Sequence, residues 1–379
     1  MNEENTLIKW PGGKTREIKY IESLIPEYDR YIEPFFGGGA MFFHLKPKKA
    51  IINDISANLI HFYKLTKEKN AEFEVFLRSY DTSFQNLLTA CDCRINEILN
   101  IYKSLKNNTY YNEIENTLKN IIDEVTQRSI NNISNELFPD INTFKNQLVF
   151  SVHDKMKRTI KNEEKNPFSE EDLKENLITG FTSGYYMYFR GIYNNIALAS
   201  TQKTSLPYNI ANFFFIREYC YGSMFRYNSK GEFNIPYGGM SYNRKNFKEK
   251  IDKIFDIQVN KLFSRTEICC SDFSDFIKAH NLVETDFMFL DPPYDTDFSD
   301  YEGRGFSKYD HARLAEILSE TRAKFILIIK NTDYIYSLYK EGFNILCFDK
   351  TYTYNVRSRN QRSVEHLIIT NMDLCNSAE

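Results

Sequence analysis

No CxxC pair occurs in this chain, and its seven cysteines (Cys91, Cys93, Cys220, Cys269, Cys270, Cys347 and Cys375) are odd in number. Both facts speak against a disulfide framework and for free thiols in a reducing cytoplasm. The six histidines are scattered, so no metal-ligand spacing can be read and no metal is expected. An amino-terminal secretory h-region is missing, and no apolar run approaches the length of a bilayer span. The expectation is a cytoplasmic protein with no membrane partner. A preponderance of one charge is missing too: 48 Lys and Arg face 51 Asp and Glu, a net charge of −3. A uniformly basic coat is therefore excluded, and any contact with nucleic acid must come from local patches.

What the chain does have is length and aromatics. Its 379 residues suffice for one large domain or two smaller ones, and 26 Tyr and 31 Phe supply core as well as stacking surfaces. One stretch organises the rest: Asp286-Phe287-Met288-Phe289-Leu290-Asp291-Pro292-Pro293-Tyr294. Its near-unbroken apolar run predicts a strand buried on both faces of a mostly parallel sheet. The two prolines end it, because neither donates to a ladder and the first disfavours helix at Asp291. The loop left at the strand's carboxyl end carries an acceptor carboxylate, the carbonyl of Pro292 and the ring of Tyr294. That set suits a planar base bearing an exocyclic amine, with Asp291 and Pro292 accepting its two N–H groups and Tyr294 stacking on the ring.

Nearer the amino terminus, Gly13-Lys14-Thr15 has the look of a phosphate loop. The first glycine of that motif would fall at Ile8, and no buried strand precedes it, so the triphosphatase reading fails. Next, Tyr31-Ile32-Glu33-Pro34-Phe35-Phe36-Gly37-Gly38-Gly39-Ala40 gives a strand, a glycine bend and the start of a helix. Gly37 and Gly39 would let backbone approach a ligand with no Cβ in the way. A second strand, Ala50 to Asn53, ends on Asp54, placed to take both ribose hydroxyls of an adenosine-containing cofactor. NAD and S-adenosylmethionine both satisfy this. The spacing is not GxGxxG and no phosphate clamp is evident, which favours the methyl donor.

From Lys64 to Gly180 the composition shifts to Asn, Lys, Glu and Ile, with apolar residues at helical spacing and a turn at Asn107-Asn108-Thr109. A packed helical insertion without catalytic pattern is expected. From Tyr185 aromatics become dense, a helix covers Ile210 to Glu218, and residues 221–238 show two arms around Asn228-Ser229-Lys230-Gly231. This predicts a β-hairpin, in which Arg226 and Asn228 offer side chains that read guanine and adenine edges; Pro236 and Tyr237 lie on its second arm. A helix over Asn246 to Phe255 returns the chain to the sheet. The strand Glu267 to Cys270 then ends near Asp272 and Phe273, which can hold the adenine of the cofactor. Helix, strand and helix over His311–Arg322, Phe325–Ile329 and Tyr334–Tyr339, with strands near Phe343–Phe348 and Val364–Thr370, complete an alternating α/β pattern. Between the last strands, Arg357, Arg359 and Arg362 cluster with Asn355 and Asn360 as a phosphate-positioning loop.

Taken together, KWPGGK, EPFFGGGA, IINDIS, FRYNSKGEFNIPYG and DPPY, in this order, resemble the Dam-like family of adenine-N6 DNA methyltransferases. The similarity covers Lys9 to Phe62 and about Tyr185 to Thr370. It implies a Rossmann-like methyltransferase sheet, S-adenosylmethionine as donor, double-stranded DNA as partner and flipping of the target adenine. Carried over by position, Trp10, Lys14, Phe35, Asp54 and Asp291 are expected cofactor contacts, with Glu33 beside them. Asp291, Pro292, Pro293 and Tyr294 form the adenine pocket, and Arg226 and Asn228 belong to the base-reading hairpin. The expected organisation is a catalytic domain of residues 1–63 and 245–379, an insertion of 64–180 longer than the family's usual connection, and a target-recognition region of 181–244. The setting expected is a restriction-modification system, with an endonuclease acting on the same site. Cytosine N4, adenine in RNA and a non-catalytic DNA-binding module are the competing readings.

Overall fold

Strand formation follows the apolar runs closely. The computed structural model describes residues 6–12, 17–109, 112–198, 204–224, 226–293, 306–351 and 363–373. The chain forms two compact units, Met1–Glu68 with Asp256–Glu379, and Lys69–Phe255.

The first unit is built on β1 (Arg30–Glu33), β2 (Ala50–Asn53), β3 (Thr266–Cys269), β4 (Asp286–Leu290), β5 (Lys324–Lys330), β6 (Asn344–Thr351) and β7 (Ser363–Thr370). They form one sheet in the order β3-β2-β1-β4-β5-β7-β6. Every pairing is parallel except those of β7, which lies antiparallel between β5 and β6. The Rossmann-like sheet expected from the sequence is thus present. All five residues of β4 are buried, as are the five central residues of β5, which is the burial of strands covered on both faces. On one face Ile32, Ile51, Met288, Leu290, Leu327 and Ile369 pack against Phe273, Phe276, Leu314, Leu318 and Tyr339. At the opposite end from the strand tips, buried Asp286 accepts from Arg30 at 2.8 and 2.6 Å, joining the first residues of β4 and β1, which are register partners.

The second unit is mostly helical. Long helices Ala71–Cys93, Ile141–Glu163 and Glu170–Leu198 pack with Leu206–Tyr219 around an aromatic core. Tyr80 stacks on Phe215 at 4.7 Å, and Phe84, Phe138, Tyr185 and Phe189 fill the space around them. Helix Ile141–Glu163 comes very close to Glu170–Leu198, because the latter presents Gly180 and Gly184. A Cβ at either would stand 3.1 Å from the Cα of Val152 or of Leu148.

Three details differ from the expected pattern. Helix Glu170–Leu198 runs unbroken through positions 180 and 181. The return helix is present as Phe247–Ile254, but a further helix, Ile257–Ser264, follows it, capped by Asp256, which accepts from the backbone N–H groups of Gln258 and Val259. The third concerns residues 221–238, where two isolated antiparallel bridges, Cys220 with Tyr237 and Tyr227 with Phe233, replace a regular ribbon among the described residues. The two arms still exchange backbone bonds, Asn228 N–H to the Glu232 carbonyl and Asn234 N–H to the Arg226 carbonyl at 2.9 and 3.2 Å, and side chains of helix Glu170–Leu198 bind the groups of the second arm that face away from the first. Asn194 donates to the Phe233 carbonyl and accepts from the Phe233 N–H at 3.1 and 2.8 Å, while Tyr186 and Arg190 both donate to the Ile235 carbonyl. Pro236 has no N–H to offer. Among the described residues no helix is long and apolar enough to cross a membrane.

Candidate active site

Sheet order reverses between β1 and β4, so the carboxyl ends of these strands open a crevice of the kind in which α/β proteins bind ligands. Three carboxylates gather there. Glu33 is the last residue of β1, Asp54 follows β2 and Asp291 follows β4. Glu33 is 2 % exposed, and its Oε2 accepts from the Tyr31 hydroxyl at 2.8 Å. Burial pushes its pKa well above the usual carboxylate range; the Tyr31 bond opposes this and the charges of Asp291 and Asp54 add to it.

The glycine bend is shaped as much by packing as by approach to a ligand. Gly37 and Gly39 have φ of 49° and 68°, which a side chain rarely tolerates. A Cβ at Gly39 would come within 2.4 Å of the Phe36 ring, and one at Gly37 within 2.8 Å of Trp10 Cδ1. Trp10 thus lies against the bend. Asp54 holds the same loop, its Oδ2 accepting from the Gly37 N–H at 2.8 Å and its Oδ1 from the Ser56 N–H at 2.9 Å. Burial raises its pKa against these backbone bonds. Tyr63 completes the anchoring by donating to the Gly37 carbonyl at 2.9 Å.

Asn53 ties three strand tips together and gave no signal in the sequence beyond its place at a strand end. Its amide donates to the carbonyls of Pro34 and Ser271 at 3.1 and 3.0 Å, and its Oδ1 accepts from the Ser271 N–H at 2.9 Å. Asp272 lies just beyond this knot, where it caps helix Phe273–Ala279 and accepts from Arg313 at 2.6 Å. Phe273 is buried, 5.3 Å from Phe35 and 5.6 Å from Phe306, with the Arg313 guanidinium over its ring. Phe35 and Phe273 are therefore brought together, though as one aromatic cluster with Phe306. Neither Phe306 nor Arg313 could be picked out from the sequence, since both contacts join segments far apart in the chain.

At the end of β4, Asp291 and Pro293 are partly buried and Pro292 is buried. Lys14, Tyr294, Arg357, Arg359 and Arg362, with Asn355 and Asn360, lie outside the described residues.

In the second unit, the expected base-reading residues have different surroundings. Arg226 is exposed, and its Nε donates to the Asn234 side chain at 3.2 Å. Asn228 is committed to its own turn: Oδ1 accepts from the N–H groups of Lys230 and Glu232, and its amide donates to the Glu232 carboxylate at 2.8 Å. Pro236 is exposed, whereas Tyr237 is buried at 6 % and donates to Asn243 at 2.9 Å. The ring of Tyr237 is thus packing beneath the loop rather than a surface that duplex DNA can reach.

The model of one protein family, D12 class N6 adenine-specific DNA methyltransferase, matches residues 10–135 and 124–354. Among relatives, the chain is 24% identical over 372 residues to the type II methyltransferase M.CviBI of Paramecium bursaria Chlorella virus NC1A, covering 96% of this chain and 98% of that one. It is 27% identical over 369 residues to the type II methyltransferase M.MjaIII of Methanocaldococcus jannaschii, covering 90% of each. To the DNA adenine methylase of Vibrio cholerae it is 21% identical over 371 residues, covering 95% of this chain and 94% of that one.

Proposed function

The chain belongs to the D12 class of N6 adenine-specific DNA methyltransferases, and from that premise we propose that it takes the methyl group from S-adenosylmethionine and transfers it to an adenine extruded from duplex DNA. The observation that carries this proposal is the gathering of Glu33, Asp54 and Asp291 at the carboxyl ends of the neighbouring strands β1, β2 and β4. Acidic side chains gathered at the strand ends form a poor site for an anion and a better one for a cationic donor.

Trp10, Phe35, the Gly37–Gly39 bend and Asp54 would hold that donor, with Lys14 as a further contact, and Asp272 and Phe273 would flank its adenine. Arg313 and the cap of helix Phe273–Ala279 keep Asp272 in one orientation. When bound, S-adenosylmethionine supplies an electrophilic methyl group on a sulfonium. Asp291 and the Pro292 carbonyl each accept one N–H of the target amine, which draws the nitrogen lone pair out of conjugation with the ring. As nitrogen gains its methyl it gives up a proton, and Asp291 is the acceptor already hydrogen-bonded to it. Extruding the base costs a few kcal/mol. Stacking on Tyr294 returns roughly 1–3 kcal/mol, and the main catalytic gain is positioning of the two reactants.

On this proposal Arg226 contacts a base edge, while Asn228 shapes the turn that presents it. Arg357 and Arg359 meet phosphates. The viral and archaeal relatives are named type II methyltransferases, which supports a modification enzyme; on this proposal it works in the cytoplasm, where it protects DNA from an endonuclease of the same specificity. Incubation with genomic DNA and labelled S-adenosylmethionine, followed by mapping of the modified bases, is the test. Label at adenine N6 within one short sequence is expected; label on cytosine, or none on DNA, overturns the proposal.

A further inference from the structure

Linear spacing offers no metal motif, yet the fold draws three donors of different kinds to one spot at the sheet edge. Glu267 and Cys269 stand two residues apart on β3, so their side chains share a face. Helix Phe273–Ala279 then brings His280 back against them. The Cys269 Sγ is 3.9 Å from His280 Nε2 and 3.8 Å from Glu267 Oε1, and Nε2 is 3.6 Å from the same oxygen. A tetrahedral zinc ion with ordinary bond lengths sets S, N and O donors about 3.4–3.6 Å apart, so side-chain shifts of about 0.3 Å suffice.

The histidine is already in the form a metal needs. Its Nδ1 is 2.7 Å from the Phe276 carbonyl, which fixes the proton on Nδ1 and turns the lone pair of Nε2 toward Cys269 and Glu267. The mix of thiol, imidazole and one carboxylate selects a soft or borderline ion over calcium or magnesium. Charges nearby also permit it. Arg30, the cation that couples to Glu267, is bound in a two-pronged pair by Asp286, and Lys64 favours the thiolate of Cys269. Burial and Glu267 push the Cys269 thiol up to about 11, so an entering ion has to displace its proton.

We propose that Glu267, Cys269 and His280 form a binding site for one zinc-type divalent cation, with water or an external ligand in the fourth position. The ion would staple the edge strand to the helix that follows it. Neither Asp291 nor the glycine bend supplies a ligand to it.

The test uses the reduced full-length chain and zinc alone, titrated in competition with a chromogenic chelator, with cobalt as an optical probe. Expected are one tight equivalent, a thiolate-to-cobalt charge-transfer band, and a rise in melting temperature with zinc. Cys269→Ser and His280→Ala should each weaken binding at least about tenfold and abolish the rise in melting temperature. Glu267→Gln, a change at an exposed side chain, should weaken it while leaving the fold as it is. Cys270→Ser, which removes the neighbouring thiol, should bind as the wild type does. Equal binding by wild type, Cys269→Ser and His280→Ala, or no saturable binding by the wild type, overturns the proposal.

Discussion

At Glu33 burial and neighbouring charges act in the same direction. Its folded pKa lies well above the usual carboxylate range, from burial first and then from Asp291 and Asp54. The stability it contributes is therefore fully present below its unfolded pKa and is lost as pH rises through the folded value. Glu33→Gln removes that loss. In denaturant titrations without donor, the variant should gain on the wild type steadily as pH is raised from acid toward neutral; a difference independent of pH contradicts the assignment. Arg226 is an exposed cation of the loop proposed to read DNA, and Arg226→Ala should relax sequence choice at one base pair by about 1–3 kcal/mol. Methylation of a panel of singly altered sites would measure it, and an unchanged ranking of sites speaks against base contact. Asp291 was legible in the sequence because an acid before two prolines at the end of an apolar run has few structural uses. Tyr237 was not, since a tyrosine in a hairpin pattern gives no sign of which face is covered, and helix Glu170–Leu198 covers it. Asn228 misled for a different reason, as the same amide that can read adenine also closes a turn on itself.

At the scale of elements, the two glycines on opposite stretches of one helix make a contrast. Gly184 lies against Leu148, where an added Cβ would stand 3.1 Å from backbone, whereas Gly191 has nothing within 4 Å. Helix propensity favours alanine at both by about 1 kcal/mol, while overpacking at a close helix contact costs about 1–3 kcal/mol. Gly191→Ala should thus stabilise by up to about 1 kcal/mol and Gly184→Ala should destabilise, both read as shifts in denaturation midpoint. Equal shifts would show that the two helices approach less closely than described. The pair at the base of β1 and β4 is a second case. Arg30→Ala leaves a buried aspartate without its cation, which costs about 3–5 kcal/mol, toward the lower end here because the Val283 N–H also holds Asp286. A loss below about 1 kcal/mol would mean that solvent reaches Asp286. Strands β1, β2, β4 and β5 could be read in advance because each is a short apolar run with a polar stop. The loop of residues 226–238 was harder to read, because Asn194, Tyr186 and Arg190 hold the Phe233 and Ile235 backbone from another element.

The whole molecule is two units with different grammars: a doubly wound sheet whose order is fixed by alternating strands and helices, and a helical unit held by interlocked aromatics. Local pattern announces the first kind, since each βα step carries its own turn signals. The second depends on which aromatic meets which, and periodicity tells only that a helix has an apolar face. The placing of Glu33, Asp54 and Asp291 at strand ends was therefore visible from the sequence, while the side chains that brace these ends were not: Asn53, Tyr63, Phe306 and Arg313 act across long stretches of chain. Everything proposed for catalysis converges on Asp291. Single-turnover methyl transfer by Asp291→Asn, with donor binding and denaturation midpoint measured on the same sample, tests it most directly. Transfer should fall on the order of a hundredfold or more while binding and folding persist; transfer within a few-fold of wild type would contradict the assignment of Asp291 as the group that holds the target amine.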